Sequence, residues 1–251
     1  MKRALFSQRA FLLTILILLL IWQVSSIIYG NYDLFPSPLT IGSQLIKLFL
    51  YQNFIIDILT SLKRVLIGFL FASFTGILLG IAAGMSRKLS NIIKPIIELL
   101  RPIPPIAWIP LAILWLGLGD LPAIFLVFLG SFFPIFSNTY LGVTSVDKKY
   151  IKAALSLGAT TKDIIIHVLI PSSLPNIFTG LKIGLGFGWM AVIAAELVGA
   201  QSGLGYFIQM NRLMLDMNNV ITGMITIGAV GALLNLLLDE IKRIFVPWTY
   251  K

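Results

Sequence analysis

Long apolar runs, separated by short polar segments, dominate the chain. The run from Phe11 to Ile28 holds about 18 residues, which is long enough to cross a bilayer as a helix. Between Arg64 and Arg87 no charged residue occurs over 22 residues. Three further runs of similar length follow, at about residues 121–143, 172–198 and 220–238. Together with an irregular apolar segment, this pattern predicts an all-α integral membrane protein with about six transmembrane helices.

The irregular segment, at about residues 93–117, contains more prolines than one regular helix accepts. They are Pro95, Pro102, Pro104, Pro105 and Pro110. Proline lacks a backbone donor and clashes with the preceding helical turn. Broken backbone at membrane depth is tolerated only against protein or a water-filled cavity, and such segments commonly line transport pathways. We therefore expect a broken span beside a pathway.

A stripe of small residues marks the second predicted span, which runs from about Asp57 to Gly84. Gly68, Ala72, Gly76 and Gly80 recur at every fourth position. Residues four apart share one face of a helix, and small residues let a second helix approach closely in lipid. The stripe therefore predicts a packing face toward the centre of the bundle.

The first part of the chain, residues 1–56, is predicted to form a unit apart from the core at 57–251. Its basic start and apolar run are also typical of a cleaved signal peptide, but no clear cleavage site follows, so we favour an uncleaved span. Apolar residues then recur at helical spacing from Ile41 to Phe49, whereas Lys47 and Gln52 interrupt any full span. We expect an interfacial helix there, on the periplasmic side.

The longest polar-bearing interruption lies at about residues 147–170. Asp147 can cap a helix that runs to about Leu157 and stops at Gly158, a residue type favoured where the backbone turns left-handed. Thr160 and Asp163 have the spacing of a capping box that starts a second helix. We therefore predict a loop that contains two short helices.

The placement of basic residues predicts the orientation of the chain. Thirteen Lys and Arg residues fall in segments predicted inside, and four fall outside, namely Lys47, Lys63, Arg64 and Arg212. Cytoplasmic segments of membrane proteins carry the excess of Lys and Arg. This distribution predicts cytoplasmic N- and C-termini and a cytoplasmic 147–170 loop.

Composition supports the membrane class and excludes several chemistries. Hydrophobic residues make up 58% of the 251 positions and charged residues only 12%, about half the share of a soluble domain. The absence of cysteine excludes disulfides and thiolate sites, and the single histidine, His167, excludes a histidine-based metal cluster. No phosphate-binding G-x-x-x-x-G-K-[ST] motif and no catalytic constellation is present, so we expect neither an enzyme nor a metal site. The net charge of +9 is interpreted as membrane orientation and not as nucleic-acid binding.

Three blocks resemble one family. Ala153-Ala154, Gly158 and Ile170-Pro171 resemble the cytoplasmic "EAA loop" of the permease subunits of bacterial ABC importers. LRPIPPIAWIPLAILWLGLG (100–119) and AAELVGAQSGLGYFI (194–208) resemble the branch that serves sulfonate, taurine, nitrate and bicarbonate. The resemblance covers about residues 60–248. The family's usual Glu before the two alanines is Lys152 here, so the contact of that carboxylate is not carried over.

The resemblance implies a transport subunit of an inner (cytoplasmic) membrane that forms the pathway for a small anion. Its loop would dock on a separate ATPase subunit, which would bind ATP, since this chain has no cofactor of its own. The implied coupling residues are Lys152, Ala153, Ala154, Leu157, Gly158 and Ala159. The further partners implied are a second permease subunit, expected to form a homodimer, a periplasmic or lipid-anchored binding protein, and membrane lipid.

Ionisable residues within predicted spans are functional candidates because charge in a bilayer is costly. The predicted pathway residues are Glu98, Arg101, Pro104, Trp189 and Glu196. The alternatives are structural: Glu98 and Arg101 pair with each other, tryptophans pack, and Glu196 reaches the interface or a partner subunit. Lys182 is given no role, because the sequence leaves open whether it lies deep in its span or reaches an inner pocket.

Two other classes remain open from the residues alone. A stand-alone secondary transporter or channel would need mid-span ionisable relays, of which this sequence offers few. An intramembrane enzyme would need a Ser/His, Asp/Asp or metal set, and none is apparent.

Overall fold

The computed structural model describes residues 2–50 and 52–249, with side chains placed from residue 13 to 50 and from 53 to 249. All regular structure in these ranges is helical. The α-helices are α1 (Lys2–Tyr29), α2 (Pro38–Leu50), α3 (Gln52–Met85), α4 (Arg87–Leu100), α5 (Ile109–Leu116), α6 (Asp120–Thr144), α7 (Lys148–Ser156), α8 (Thr161–Ile164), α9 (Ile170–Gly199), α10 (Leu204–Leu213) and α11 (Met217–Phe245). The all-α prediction is confirmed for the described residues.

Four helical runs are long and apolar enough to cross a membrane: α3, α6, α11 and the continuous run Thr161–Gly199. Helices α4 and α5 form a fifth candidate, bent by 86° between them. The first predicted span corresponds to α1, whose placed side chains cover only Leu13–Tyr29. The count of six therefore stays a prediction. Helix α3 begins at Gln52, before the predicted start at about Asp57. The polar residues near position 57 are therefore part of this helix.

Helices α3, α6 and α9 pack into one tight unit through small residues. A β-carbon added at Gly80 of α3 would lie 2.7 Å from the β-carbon of Thr139 on α6. On the other side of α6, one added at Gly184 of α9 would lie 2.9 Å from the Ser131 carbonyl oxygen. The Ser131 hydroxyl donates to the Gly184 carbonyl at 2.9 Å. The predicted small-residue packing face is thus confirmed, and α6 lies between the other two helices.

The predicted break in the third span is present. Helix α4 contains Pro95 and ends at Leu100, and a 3₁₀ turn, Pro105–Trp108, then leads into α5. Proline withholds a backbone donor at three positions around this break, so regular helix cannot continue there. The break leaves non-helical backbone between residues 101 and 104, beside α6 and α9.

The polar loop between α6 and α9 has both predicted caps. The Asp147 carboxylate accepts from the Lys149 N–H at 2.9 Å, and Thr160 and Asp163 form a capping box. Gly158 has φ +82°, and the Ala159 N–H donates to the Ala154 carbonyl at 3.0 Å, as in a Schellman motif. Helix α8 then continues through a π-helical turn into α9.

The N-terminal helices attach to the rest of the bundle through α2. The indole N–H of Trp22 on α1 donates to the Pro36 carbonyl at 3.1 Å, and the Ser26 hydroxyl donates to the Phe35 carbonyl at 2.7 Å. The Gln44 side chain of α2 donates to the Asn219 side chain of α11 at 2.8 Å. Helix α2 therefore links α1 to α11, while the division at residue 56 stays a prediction.

Candidate transport site

A continuous groove runs along α4, the proline break, α6 and α9. Four adjoining cavities of about 510, 360, 350 and 220 Å³ form it. Neighbouring cavities share lining residues: Lys94 joins the first two, Arg101 the second and third, and Phe187 the last two. We call this feature the α4–α6–α9 groove. It extends from the end of the bundle that carries the α6–α9 loop toward the opposite end.

The charged residues of the groove lie on α4. Lys94 pairs with Glu98 at 3.5 Å, one helical turn away, and both side chains are exposed. The predicted alternative of a Glu98–Arg101 pair is wrong, because Glu98 has Lys94 as its partner. Within the described residues the Arg101 guanidinium forms no hydrogen bond or ion pair. Arg101 thus offers an available positive charge at the point where α4 ends.

Polar groups face Arg101 across the groove from α6. Asn138 lines the same two cavities as Arg101, and its amide N–H donates to the Pro134 carbonyl at 2.8 Å. This bond runs back one turn to a carbonyl of the same helix, so it holds the Asn138 side chain against α6. Sequence reasoning did not select Asn138.

The far part of the groove is apolar. Pro104 and Pro105 from the break face Phe187 and Met190 of α9, and Met190 is 69% exposed. Pro104 therefore lies on the groove, as do Glu98 and Arg101. The groove is polar and basic at the loop end and apolar at the other, so a solute meets two different surfaces along it.

Two other predicted pathway residues lie elsewhere. The Trp189 indole N–H donates to the Ile227 carbonyl of α11 at 3.1 Å, and its ring contacts Gly231. Glu196 is 1% exposed and its carboxylate accepts from Arg64 at 2.8 Å. The interpretation that Glu196 reaches the interface or a partner subunit is wrong, because its partners are inside this chain.

Lys182, which the sequence left unassigned, pairs with Asp239 of α11 at 2.6 Å. Both side chains of this pair are partly exposed. The pair links α9 to α11 on the side that carries Trp189. Lys182 is absent from the residues that line the α4–α6–α9 groove.

The loop helix α7 presents one face inward and one outward. Ala154 and Ala159 pack, partly buried, against a cluster formed by Val143, Ile164 and Leu169. Lys152, Ala153, Leu157 and Gly158 are exposed, and Leu157 is 88% exposed. Helix α7 ends at Ser156, so Gly158 lies beyond the helix that carries Ala154.

Asp147, at the start of α7, is held in its charged form by local bonds. The Lys149 backbone N–H and, next, the Lys149 side chain hold the pKa of this carboxyl below its usual value. The negative charge also lies at the N-terminus of the helix, where the helix dipole favours it. The cap therefore fixes the start of the exposed helix at neutral pH.

A helical membrane bundle with a proline-broken span along a groove, and a capped polar loop at one end, defines a permease-type transport subunit. The chain matches the family model described as "binding-protein-dependent transport system inner membrane component" over residues 76–251. The chain belongs to this family. It is therefore a multi-pass permease component of an ABC importer, and its role is transport and not catalysis.

Its relatives include permeases named for taurine transport and for nitrate import. It is 43% identical over 233 residues to a putative ABC transporter permease protein of Methanocaldococcus jannaschii, over 91% of this chain and 87% of the relative. It is 37% identical to the taurine transport system permease protein TauC of Escherichia coli, over 94% of this chain and 88% of the relative. It is 38% identical to the nitrate import permease protein NrtB of Synechococcus elongatus, over 76% of this chain and 72% of the relative.

A solved structure has the same fold. The MetNI methionine ABC transporter, in an inward-facing conformation, aligns with a TM-score of 0.67 and 21% identity, over 75% of this chain and 94% of that chain. The described bundle is therefore a known permease architecture.

Proposed function

We propose that this chain forms half of the translocation pathway of an ATP-driven importer for a small anion, such as taurine, another sulfonate, nitrate or bicarbonate. The observation that carries this proposal is the α4–α6–α9 groove, in which Arg101 has no partner among the described residues. An unpaired guanidinium beside broken backbone attracts an anion and offers it several donors. The names of the taurine and nitrate relatives support the same class of solute.

The second half of the pathway is supplied by a second copy of the chain. The groove is open along its length, and its apolar end exposes Phe187 and Met190. A second copy related by twofold symmetry would cover these side chains and enclose the path, since closed homodimers bury the same patch on both subunits. A periplasmic or lipid-anchored binding protein delivers the anion to the side opposite the loop.

Energy comes from a separate ATPase subunit, which binds ATP, because no phosphate-binding loop is present in this sequence. The subunit docks on the exposed face of α7 and its C-cap, where Ala153 and Leu157 project. Gly158 ends this helix and allows the turn into α8, while Ala154 and Ala159 hold the helix on the bundle. The loop faces the cytoplasm, as do both termini, in agreement with the distribution of Lys and Arg.

The test is ATPase activity of the chain purified with its ATPase subunit in lipid, with and without the binding protein. The wild-type complex should be stimulated by the binding protein. Gly158 has no neighbour within 4 Å, so a side chain there meets open space and only the backbone conformation resists it. Gly158→Val should uncouple hydrolysis from uptake, because a β-branched residue is strained at φ +82°.

Gly158→Asn is the matched control, since asparagine tolerates the left-handed region far better than valine does. We expect near wild-type stimulation from Gly158→Asn and a loss of about fivefold or more from Gly158→Val, as expected for about 1–2 kcal/mol of backbone strain. Normal uptake by Gly158→Val, or failure of the wild-type chain to hold an ATPase subunit, would contradict the proposal. The second result would favour a stand-alone transporter.

A further inference from the structure

A buried charge cluster lies at the end of the bundle away from the loop, outside the α4–α6–α9 groove. Arg64 of α3 is 1% exposed, and its guanidinium donates to the Glu196 carboxylate of α9 at 2.8 Å. The same guanidinium donates to the Asp120 carboxylate, at the first residue of α6, at 2.7 Å. It also donates to the Ser202 carbonyl at 2.7 Å. One side chain therefore ties three helices and the α9–α10 loop together.

The cluster also caps α10, a short helix whose own N-terminus has no side-chain cap. The Gly203 N–H donates to the Asp57 carboxylate at 2.7 Å, and the Leu204 N–H donates to the Ser61 hydroxyl at 2.9 Å. The Gly205 N–H donates to the Glu196 carboxylate at 2.9 Å. The first N–H groups of a helix need such acceptors, and here α3 and α9 provide all three.

Two glycines make this arrangement possible. A β-carbon at Gly203 would collide with the Glu196 carboxylate, and one at Gly205 would lie 2.6 Å from the β-carbon of Glu196. The Ser61 hydroxyl also donates to both Glu196 oxygens, at 2.9 and 2.8 Å, so the carboxylate is fully held. A buried charge left without a partner strongly destabilises a protein, so Arg64 and Glu196 each depend on the other.

The cluster and the α6–α9 loop lie at opposite ends of the same two helices. Helix α6 starts at Asp120 and enters the loop after Thr144, and α9 leaves the loop at Ile170 and ends at Gly199. These helices of 25 and 30 residues span about 37 and 45 Å. Small residues fix α3 and α9 to α6, so the same closely packed helices join the loop to the cluster.

We propose that Arg64 and Glu196, with Asp57, Ser61 and Asp120, form a clamp that positions the α9–α10 segment. The clamp makes residues 200–205 and the start of α10 move as one body with the α6–α9 loop. Arg64 and Glu196 are therefore positioning residues for transport and do not contact the solute. This inference rests on the proposed function, since it assigns the clamp to the energy-transmitting body of the permease.

The first experiment tests the clamp without any partner. In the purified wild-type chain in lipid, the amides of Gly203, Leu204 and Gly205 should exchange slowly with deuterated solvent. Ser61→Ala should raise exchange at Leu204 by about fivefold or more, because one hydrogen bond is lost from a buried donor. Asp239→Asn, which breaks the Lys182 pair between α9 and α11, should leave these amides unchanged. Equal exchange in wild type and Ser61→Ala would overturn the clamp.

The second experiment measures coupling in the complete transporter. Ser61→Ala and Glu196→Gln should keep basal ATPase activity but lose stimulation by the binding protein, with uptake lowered by about fivefold or more, the lower end of typical coupling effects. Asp239→Asn should behave like wild type. A merely structural role would lower assembly, basal activity and uptake together.

The outcomes separate the two proposals. Normal stimulation in Ser61→Ala and Glu196→Gln, with a wild-type complex that works, would overturn the clamp and leave the proposed function standing. A wild-type chain that holds no ATPase subunit would overturn the proposed function and the coupling role of the clamp together. In that case, fast amide exchange at Leu204 in Ser61→Ala would show only that α3 holds the α9–α10 segment in place.

Discussion

At the scale of single residues, two arginines in the bundle have opposite surroundings. Arg64 is buried and bonded to Glu196, Asp120 and Ser202, whereas Arg101 lies on an open groove and has no bonded partner among the described residues. A guanidinium whose donors are all used cannot bind a solute. Arg101 is therefore the residue expected to distinguish an anion from a neutral solute.

We expect Arg101→Gln to lower anion uptake by about 10- to 100-fold, because a charge-assisted hydrogen bond contributes about 1.5–3 kcal/mol. The measurement is uptake rate against concentration, with taurine and nitrate as probes. Lys88→Gln is the control: it removes the same charge from α4 at an exposed position that does not line the groove. Equal effects of the two substitutions would point to bulk charge and contradict a specific role for Arg101.

At the scale of helices, local signals in the sequence were sufficient for caps, breaks and packing faces. Asp147, Thr160 and the proline-rich segment each act through neighbours within a few residues, so their consequences were predictable. The Gly68–Gly80 stripe was similarly predictable because its period defines one face of a helix.

Partners that are distant in sequence were not predictable. Arg64 and Glu196 are 132 positions apart, and nothing in their local sequence pairs them. Glu98 has two basic residues at helical spacing, Lys94 and Arg101, and the sequence alone does not show that Lys94 is its partner. The geometry of the groove likewise depends on how α4, α6 and α9 meet.

The packing of α9 on α6 gives a matched pair of glycines. Gly184 faces Ser131 and Ile135, whereas Gly186 has nothing within 4 Å. We expect Gly184→Ala to lower thermal stability in detergent, since overpacking costs about 1–3 kcal/mol. Gly186→Ala should leave stability unchanged or raise it, because alanine favours helix over glycine. The measurement is the temperature at which each variant aggregates in detergent, followed by size-exclusion chromatography. Equal aggregation temperatures for Gly184→Ala and Gly186→Ala would contradict this packing.

The start of α7 should respond to pH through Asp147. Its pKa is lowered in the folded state, first by the Lys149 N–H, so its contribution is full above the unfolded pKa and is lost as pH falls through the folded value. Protection of the α7 amides, corrected for intrinsic exchange, should therefore drop between pH 7 and about pH 3. Asp147→Asn keeps an N-cap but has no such titration. A wild-type drop no larger than that of Asp147→Asn would contradict this role.

At the scale of the whole molecule, the described bundle is closely packed on one side and open on the other. Helices α3, α6 and α9 share small-residue contacts, a buried clamp at one end and an apolar cluster under the loop at the other. The α4–α6–α9 groove, by contrast, is closed by no described residue along its open side. A closely packed body with one open, partly apolar side is suited to swing against a second copy, since packed bodies switch between discrete arrangements.

The absence of cysteine from the chain allows a direct test of that second copy. Met190, on the apolar part of the groove, should lie close to the partner subunit, so Met190→Cys should form a covalent dimer under mild oxidation in membranes. Leu70→Cys, which is similarly exposed on α3 but does not line the groove, should stay monomeric. Binding protein and ATP should change the Met190→Cys yield, because the two halves move during transport. Cross-linking of Leu70→Cys alone would place the interface on α3 and contradict a pathway formed by the groove.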